Sequence, residues 1–294
     1  MRWLFIGAGN MASSLIGGLL GGGTDSSHIA VVDPDKSACQ RAQKAFDIGS
    51  AQNIRDAITL LVANADDHPP LLGVVIAVKP HIVESVCRAF EQSFNEAGLA
   101  GEGKGDGKGV SPVFISVAAG VRESSMRTWL PDGAALIRCM PNTPSLLGLG
   151  VTALFANDQC GSGEKALAET LLNNAGTTLW VDDESLLDAV TAVSGSGPAY
   201  FFYLIEHMVD AGVSLGLSRE SAEALAIETA YGAASMARQR QHSPAVLREN
   251  VTSKGGTTAA ALQVFDNSKT PETIHAALQA AHDRAVELGD ELAS

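Results

Sequence analysis

Apolar residues fall in short blocks along the first part of the chain. Residues 2–6, 28–33 (HIAVVD), 72–80 (LGVVIAVKP) and 113–121 (VFISVAAGV) are rich in aliphatic side chains and bounded by glycine, proline or charge. Such blocks predict strands buried on both faces, as in a parallel sheet. Stretches at 35–46, about 53–65 and 81 to about 97 lie between them and predict helices, so strands and helices alternate as βαβ units do. GAALIRCMPNTP (133–144) reads as a strand followed by a proline-bounded loop, and TTLWV (177–181) as a further strand. From Asp182 onward the pattern is helical only, over about 184–193, 198–215, 219–238, 244–251, 256–266 and 271–292. The expected organisation is an α/β domain over residues 1–182 and an all-helical domain over 183–294. AEALAIETAYGAASMA (222–237) is small or apolar on nearly every side, and a helix of that kind must be buried all round. About 110 residues can hardly achieve that alone, so the helical domain is expected to bury itself against a second copy of the chain.

The opening stretch, MRWLFIGAGNMASSLIGGLLGGG, admits two readings. A secretory signal needs an unbroken apolar centre, yet the run Trp3 to Ile6 stops at Gly7 and is followed by Asn10 and two serines. The better reading is a strand, a glycine turn and a helix. Gly7, Ala8, Gly9, Asn10, Met11 and Ala12 form a GxGxxA pattern. There the first glycine permits the tight turn, the second admits a pyrophosphate, and the small alanine lets the helix lie on the strand. The helix start presents free N–H groups and a positive dipole end to phosphate. Asp33, closing the second strand, stands where an acidic residue meets an adenosine ribose.

Composition narrows the classes. The chain of 294 residues is 46% hydrophobic and 18% charged, which suits a globular enzyme rather than a disordered segment. Its net charge of −13 would be repelled by phosphate backbones and anionic lipid, so neither nucleic acid nor membrane is an expected partner. Cys39, Cys87, Cys139 and Cys160 are scattered, with no CxxC pair, which argues against a disulfide framework or a zinc site and favours a cytoplasmic protein.

Two later stretches carry candidate chemistry. In LRENVTSKGGTTAAALQVFD (247–266) a polar turn, Ser253-Lys254-Gly255-Gly256-Thr257-Thr258, runs straight into a helix of small residues. Two glycines at a helix start, flanked by hydroxyls, form a nest of backbone donors sized for a carboxylate; the plainer alternative is a helix capped by Ser253. In DAVTAVSGSGPAY (188–200) a glycine-rich break with Pro198 separates two helices, and on its physics alone could be a hinge.

Taken in order, FIGAGNMA (5–12), AVKPH (77–81), ISVAAGV (115–121), MPNTP (140–144), SGSGPAY (194–200) and VTSKGGTT (251–258) closely resemble the pyrroline-5-carboxylate reductase family, over nearly the whole chain. The resemblance implies a Rossmann-like N-terminal domain and an all-helical C-terminal dimerisation domain. It also implies self-association as a homodimer, with larger rings such as a decamer built from dimers. The implied reaction is reduction of a cyclic imino acid, L-1-pyrroline-5-carboxylate, to L-proline by NADPH or NADH. The cofactor would lie over Ile6, Gly7, Ala8, Gly9, Asn10 and Met11, along Ala77, Val78, Lys79 and Pro80, and against Val117, Ala118 and Ala119. Asp33, Asn53 and Asn250 would be further contacts. The substrate carboxylate would sit on Ser253, Lys254, Gly255, Gly256 and Thr257, with the Thr258 hydroxyl at the imine nitrogen as the catalytic group. Both cofactors are expected to serve, Asp33 lowering the preference for NADPH and Lys36 standing close enough in sequence to offset it. No metal is required.

Two other classes account for part of the pattern. A hydroxy-acid dehydrogenase of the 6-phosphogluconate type shares the plan but needs a lysine in its helical domain, where only Lys254 and Lys269 follow residue 182, neither inside a long expected helix. A non-catalytic NAD(P) sensor would keep the first glycine turn and have no use for the second.

Overall fold

The computed structural model describes residues 1–62, 72–99 and 112–293. DDHPP (66–70) and the glycine-rich GLAGEGKGDGKGV (98–110) read by composition as surface insertions; they lie, the second of them beyond Leu99, outside the described residues.

By internal contacts the chain forms two units, Met1–Gly195 with His282–Ser294, and Ser196–Ala281. The first contains eight strands: β1 (Arg2–Ile6), β2 (Ile29–Val32), β3 (Gly49–Ala51), β4 (Leu72–Ile76), β5 (Pro112–Ser116), β6 (Ala135–Met140), β7 (Gly150–Ala156) and β8 (Gly176–Trp180). They form one sheet in the order β3-β2-β1-β4-β5-β6-β7-β8. The first six run parallel; β7 is antiparallel to β6, and β8 is parallel to β7. The helices of this unit are α1 (Asn10–Gly21), α2 (Lys36–Phe46), α3 (Ile54–Val62), α4 (Val83–Glu96), α5 (Glu123–Arg127), α6 (Ser162–Leu172) and α7 (Leu186–Val190).

Alternation along the strands divides the core between the two faces of the sheet. Leu4, Ile6, Val74, Ile76 and Phe114 pack with Ile58, Leu61, Phe90 and Phe94 of α3 and α4. Trp3, Phe5, Val75, Ile115 and Ile137 pack with Leu15 and Ile16 of α1 and Leu167 and Leu171 of α6. Each such fully buried large aliphatic or aromatic side chain contributes roughly 1.5–3 kcal/mol. The Phe90 ring stacks on Phe94 at 5.3 Å and meets Phe114 edge-on at 5.2 Å.

Two apolar blocks are longer than the strands they contain. In register Ile6 pairs with Ile76, and Ile76 with Ser116, so β1, β4 and β5 end level. The residues beyond, 77–80 and 117–121, leave the ladder and become loops at the carboxyl edge. The sequence pattern did not reveal β3, β7, α5 or α6. β3 is three small residues, Gly-Ser-Ala, whose strand partner is β2.

The second unit comprises α8 (Gly197–Ser214), α9 (Arg219–Arg238), α10 (Pro244–Asn250), α11 (Thr257–Asn267) and the first half of α12 (Thr270–Ala293), whose last turns belong to the first unit. Its buried cluster is small: Val209, Ala222 and Ala226, with Ile205 and Val213 against them. Gly212 lets α8 approach Ala222 of α9. Most of its large apolar side chains, among them Phe201, Phe202, Tyr203, Leu225 and Tyr231, are exposed in the single chain.

Candidate active site

Strand order reverses about β1, with β2 on one side and β4 on the other, and the carboxyl edge there is where doubly wound sheets bind ligands. Gly7 follows β1 with φ +105°, and a Cβ on it would stand 2.6 Å from the Ala77 carbonyl oxygen. Glycine is therefore required. The Gly7 N–H donates to the Val32 carbonyl, and the Ala77 N–H to that of Ile6, both at 2.8 Å. Gly9 is the N-cap of α1, no side chain caps that end, and no described atom stands within 4 Å of where its Cβ would be. The first N–H groups of α1 thus face open space, with Asn10 exposed and Met11 half-buried beside them, while Ala12 is buried against the sheet. This cradle fits a pyrophosphate.

A cavity of about 620 Å³ opens from it. Ile6, Gly7, Ala8 and Gly9 line one part, Asp33 and Asn53 another, and Ala77, Val78 and Lys79 a third. Asp33 is half-buried and held at both oxygens, by the Ala8 N–H and the Asp35 N–H, each at 2.9 Å. Asn53 caps α3: its Oδ1 accepts from the Asp56 N–H at 2.9 Å and its Nδ2 donates to the Asp56 carboxylate at 2.7 Å. Lys36 opens α2 at the surface and does not line the cavity; the additional cation there is Arg55, which the sequence pattern had not singled out.

A second cavity in the same unit, about 400 Å³, is lined by Pro80, Ala118 and Ala119 beyond β4 and β5, by Arg138, Cys139 and Met140 of β6, and by Asp188 and Thr191. Val117 is tied to the sheet through its N–H to the Ile76 carbonyl at 3.0 Å. Arg138 is buried and paired with Glu184 at 2.5 Å. Burial pushes the Cys139 thiol well above the ordinary range, so it lines the wall as apolar surface rather than as a nucleophile. His81 sits in the short 3₁₀ turn Pro80–Ile82 ahead of α4 and lines both cavities. Arg138 and Asp188 were missed from sequence; a charged residue inside an otherwise apolar strand was the signal for Arg138. The Ser-Gly break at 194–198 is a π-helical turn, Thr191–Gly195, running into α8 with Pro198 in its first turn. Asn142 of the MPNTP loop donates to the Ser194 carbonyl at 3.2 Å and accepts from the Val151 N–H at 3.0 Å.

In the second unit the polar turn lies between α10 and α11. Asn250 is the last residue of α10. Gly255 has φ +72°, a left-handed conformation that favours glycine. The Gly256 N–H closes the turn on the Ser253 carbonyl at 3.0 Å. The N-cap of α11 is Gly256, not Ser253, and no side chain caps it. Thr257 and Thr258 form the first turn of α11, and Ser253, Lys254 and Gly255 are exposed. Among the described residues no cluster of histidine, cysteine and carboxylate could hold a metal ion, and no helix is long and apolar enough to cross a membrane.

A glycine cradle at the reversal point of a Rossmann-type sheet, opening into a long cavity, defines the dinucleotide-binding half of a nicotinamide-dependent oxidoreductase. Residues 3–99 match a family model described as NADP oxidoreductase, coenzyme F420-dependent, and residues 184–288 one described as pyrroline-5-carboxylate reductase dimerisation. A pyrroline-5-carboxylate reductase of Pseudomonas aeruginosa is 42% identical over 291 residues, covering 99% of this chain and 98% of that protein. The structure of a pyrroline-5-carboxylate reductase from Coxiella burnetii superposes with TM-score 0.85 at 35% identity, covering 98% of each chain. That of a Plasmodium falciparum pyrroline carboxylate reductase with NADP bound superposes with TM-score 0.77 at 26% identity, again over 98% of each. The chain belongs to the pyrroline-5-carboxylate reductase family.

Proposed function

We propose that this protein reduces L-1-pyrroline-5-carboxylate to L-proline, the last step of proline biosynthesis, with NADPH or NADH as donor. The uncapped glycine cradle of α1, open above Gly9 and continuous with the 620 Å³ cavity, carries the cofactor reading. The dinucleotide supplies hydride when bound. Ile6, Gly7, Ala8, Gly9, Asn10 and Met11 receive its phosphates, Asp33 and Asn53 its adenosine end, and Ala77–Pro80 with Val117–Ala119 the remainder.

The turn Ser253–Thr257 holds the substrate carboxylate. Its left-handed Gly255 and the uncapped start of α11 support this reading, since backbone N–H groups at a helix start favour an anion. Exposed Lys254 adds a positive charge beside them. The Thr258 hydroxyl takes the imine nitrogen, where a hydrogen bond stabilises the amine as it forms. Orientation of two rings is most of what the protein must do. The chain works as a homodimer through its helical region, a decamer being one closed ring that dimers can form. Four free thiols, three of them buried, support a reducing cytoplasmic setting.

The test is consumption of NADPH and of NADH with pyrroline-5-carboxylate, comparing wild type with Thr258→Ala and Thr258→Ser. The expected result is turnover that falls on the order of a hundredfold in the alanine variant and returns substantially with serine. An alanine variant at wild-type kcat would remove Thr258 from the reaction.

A further inference from the structure

We propose that Arg55 is the residue that receives the 2′-phosphate of NADPH in this chain. The inference rests on the dinucleotide reading of the first cavity and adds the group that sets cofactor choice within it. Asp33 poses the problem. Each of its oxygens is held by a backbone N–H, from Ala8 and from Asp35, so the carboxylate cannot swing away from the adenosine ribose. A phosphate beside it needs a cation on the same side of the cavity.

Four cations come near this end in sequence or space, and the fold separates them. Lys36 opens α2 and does not line the cavity. Arg41 is turned toward Asp35 at 3.9 Å and does not line it either. Lys79 does, but it follows β4, on the far side of β1 from β2. Arg55 lines the cavity together with Asp33, Pro34, Gln52 and Asn53, from the start of α3 just beyond β3, the strand that pairs with β2.

The Arg55 guanidinium rests on a carboxylate, Glu96 at the end of α4, at 3.3 Å, with the two side chains 65% and 44% exposed. A surface pair so exposed is held weakly. A phosphate dianion offers the same guanidinium a more strongly charged partner that can be bound through two hydrogen bonds. Glu96 therefore stands in for the phosphate and competes with it. Gln52, whose amide donates to the Pro34 carbonyl at 3.3 Å, fixes the loop between the two.

The experiment is calorimetric titration of the full-length protein with 2′,5′-ADP and with 5′-AMP, which need no catalysis. For Arg55→Gln the expected result is a loss of roughly ten- to thirtyfold in 2′,5′-ADP affinity, with 5′-AMP changed less than about twofold. Arg55→Lys recovers part of the loss, keeping the charge without the fork. Glu96→Gln raises 2′,5′-ADP affinity by about two- to fivefold. Binding of both nucleotides with an unchanged affinity ratio in Arg55→Gln overturns the assignment alone. Binding of neither by the wild type overturns the dinucleotide reading and the assignment together.

Discussion

At φ +105° and with the Ala77 carbonyl oxygen 2.6 Å from where its Cβ would be, Gly7 is excluded from carrying a side chain by backbone conformation and by space together. Gly7→Ala is accordingly expected to cost about 1–3 kcal/mol and to displace the turn proposed to receive phosphate. Urea unfolding measures the first, and loss of NADPH fluorescence enhancement by more than about tenfold measures the second. Wild-type affinity in a folded Gly7→Ala protein would deny the turn its role. The glycine pattern itself was visible in the sequence because the turn is local, six consecutive residues forming it. Asp33 stood out in the sequence as the acidic residue closing the second strand, but its bond to the Ala8 N–H, across 25 residues of chain, did not. Arg55 was invisible for the same reason: only the pairing of β3 with β2 brings it to the cavity that Asp33 lines.

Helices and strands differ in how much of them is written locally. α2 carries its own start signal, Asp35, whose carboxylate accepts from the Ser37 N–H at 2.8 Å and from the Ser37 hydroxyl at 2.9 Å. Those bonds, the hydroxyl first and the N–H second, hold its pKa below the usual aspartate range. The folded pKa is depressed, so the stabilisation is present above the unfolded value and is lost as pH falls through the folded one. The melting temperature of Asp35→Ala is expected to lie below wild type at neutral pH, and the gap to close on acidification past the aspartate range. A gap independent of pH would mean the carboxylate charge contributes nothing to the cap. Strand ends were less legible. LGVVIAVKP is apolar as far as Val78, yet β4 ends at Ile76, level with the ends of β1 and β5.

The molecule as a whole hides its first unit well and its second poorly. Leu215 is 87% exposed, Tyr231 65% and Leu225 58% in the single chain, around a buried cluster of three residues. Apolar exposure on that scale marks an interaction surface. The helical segment is matched, from residue 184 to 288, by a dimerisation model of its family. Sedimentation at micromolar concentration is expected to give a multiple of the chain mass, and Leu225→Glu with Tyr231→Glu on α9 to shift it toward the monomer. An unchanged mass in the double variant would exclude these two exposed positions of α9 from the interface.

Sequence alone determined the alternation of buried strands and helices, the glycine cradle at Gly7–Ala12, the helical character beyond Asp182 and the turn at Ser253–Thr258. Each is specified by residues close together in the chain, through backbone freedom at glycine, helix starts and apolar runs. The order of eight strands, the reversal of β7, the cavities beyond β4, β5 and β6, the Arg138–Glu184 pair and the placing of Arg55 were decided only by the tertiary structure. Those features depend on which distant segments pack side by side, and pairing across tens of residues leaves no periodic signal in either segment.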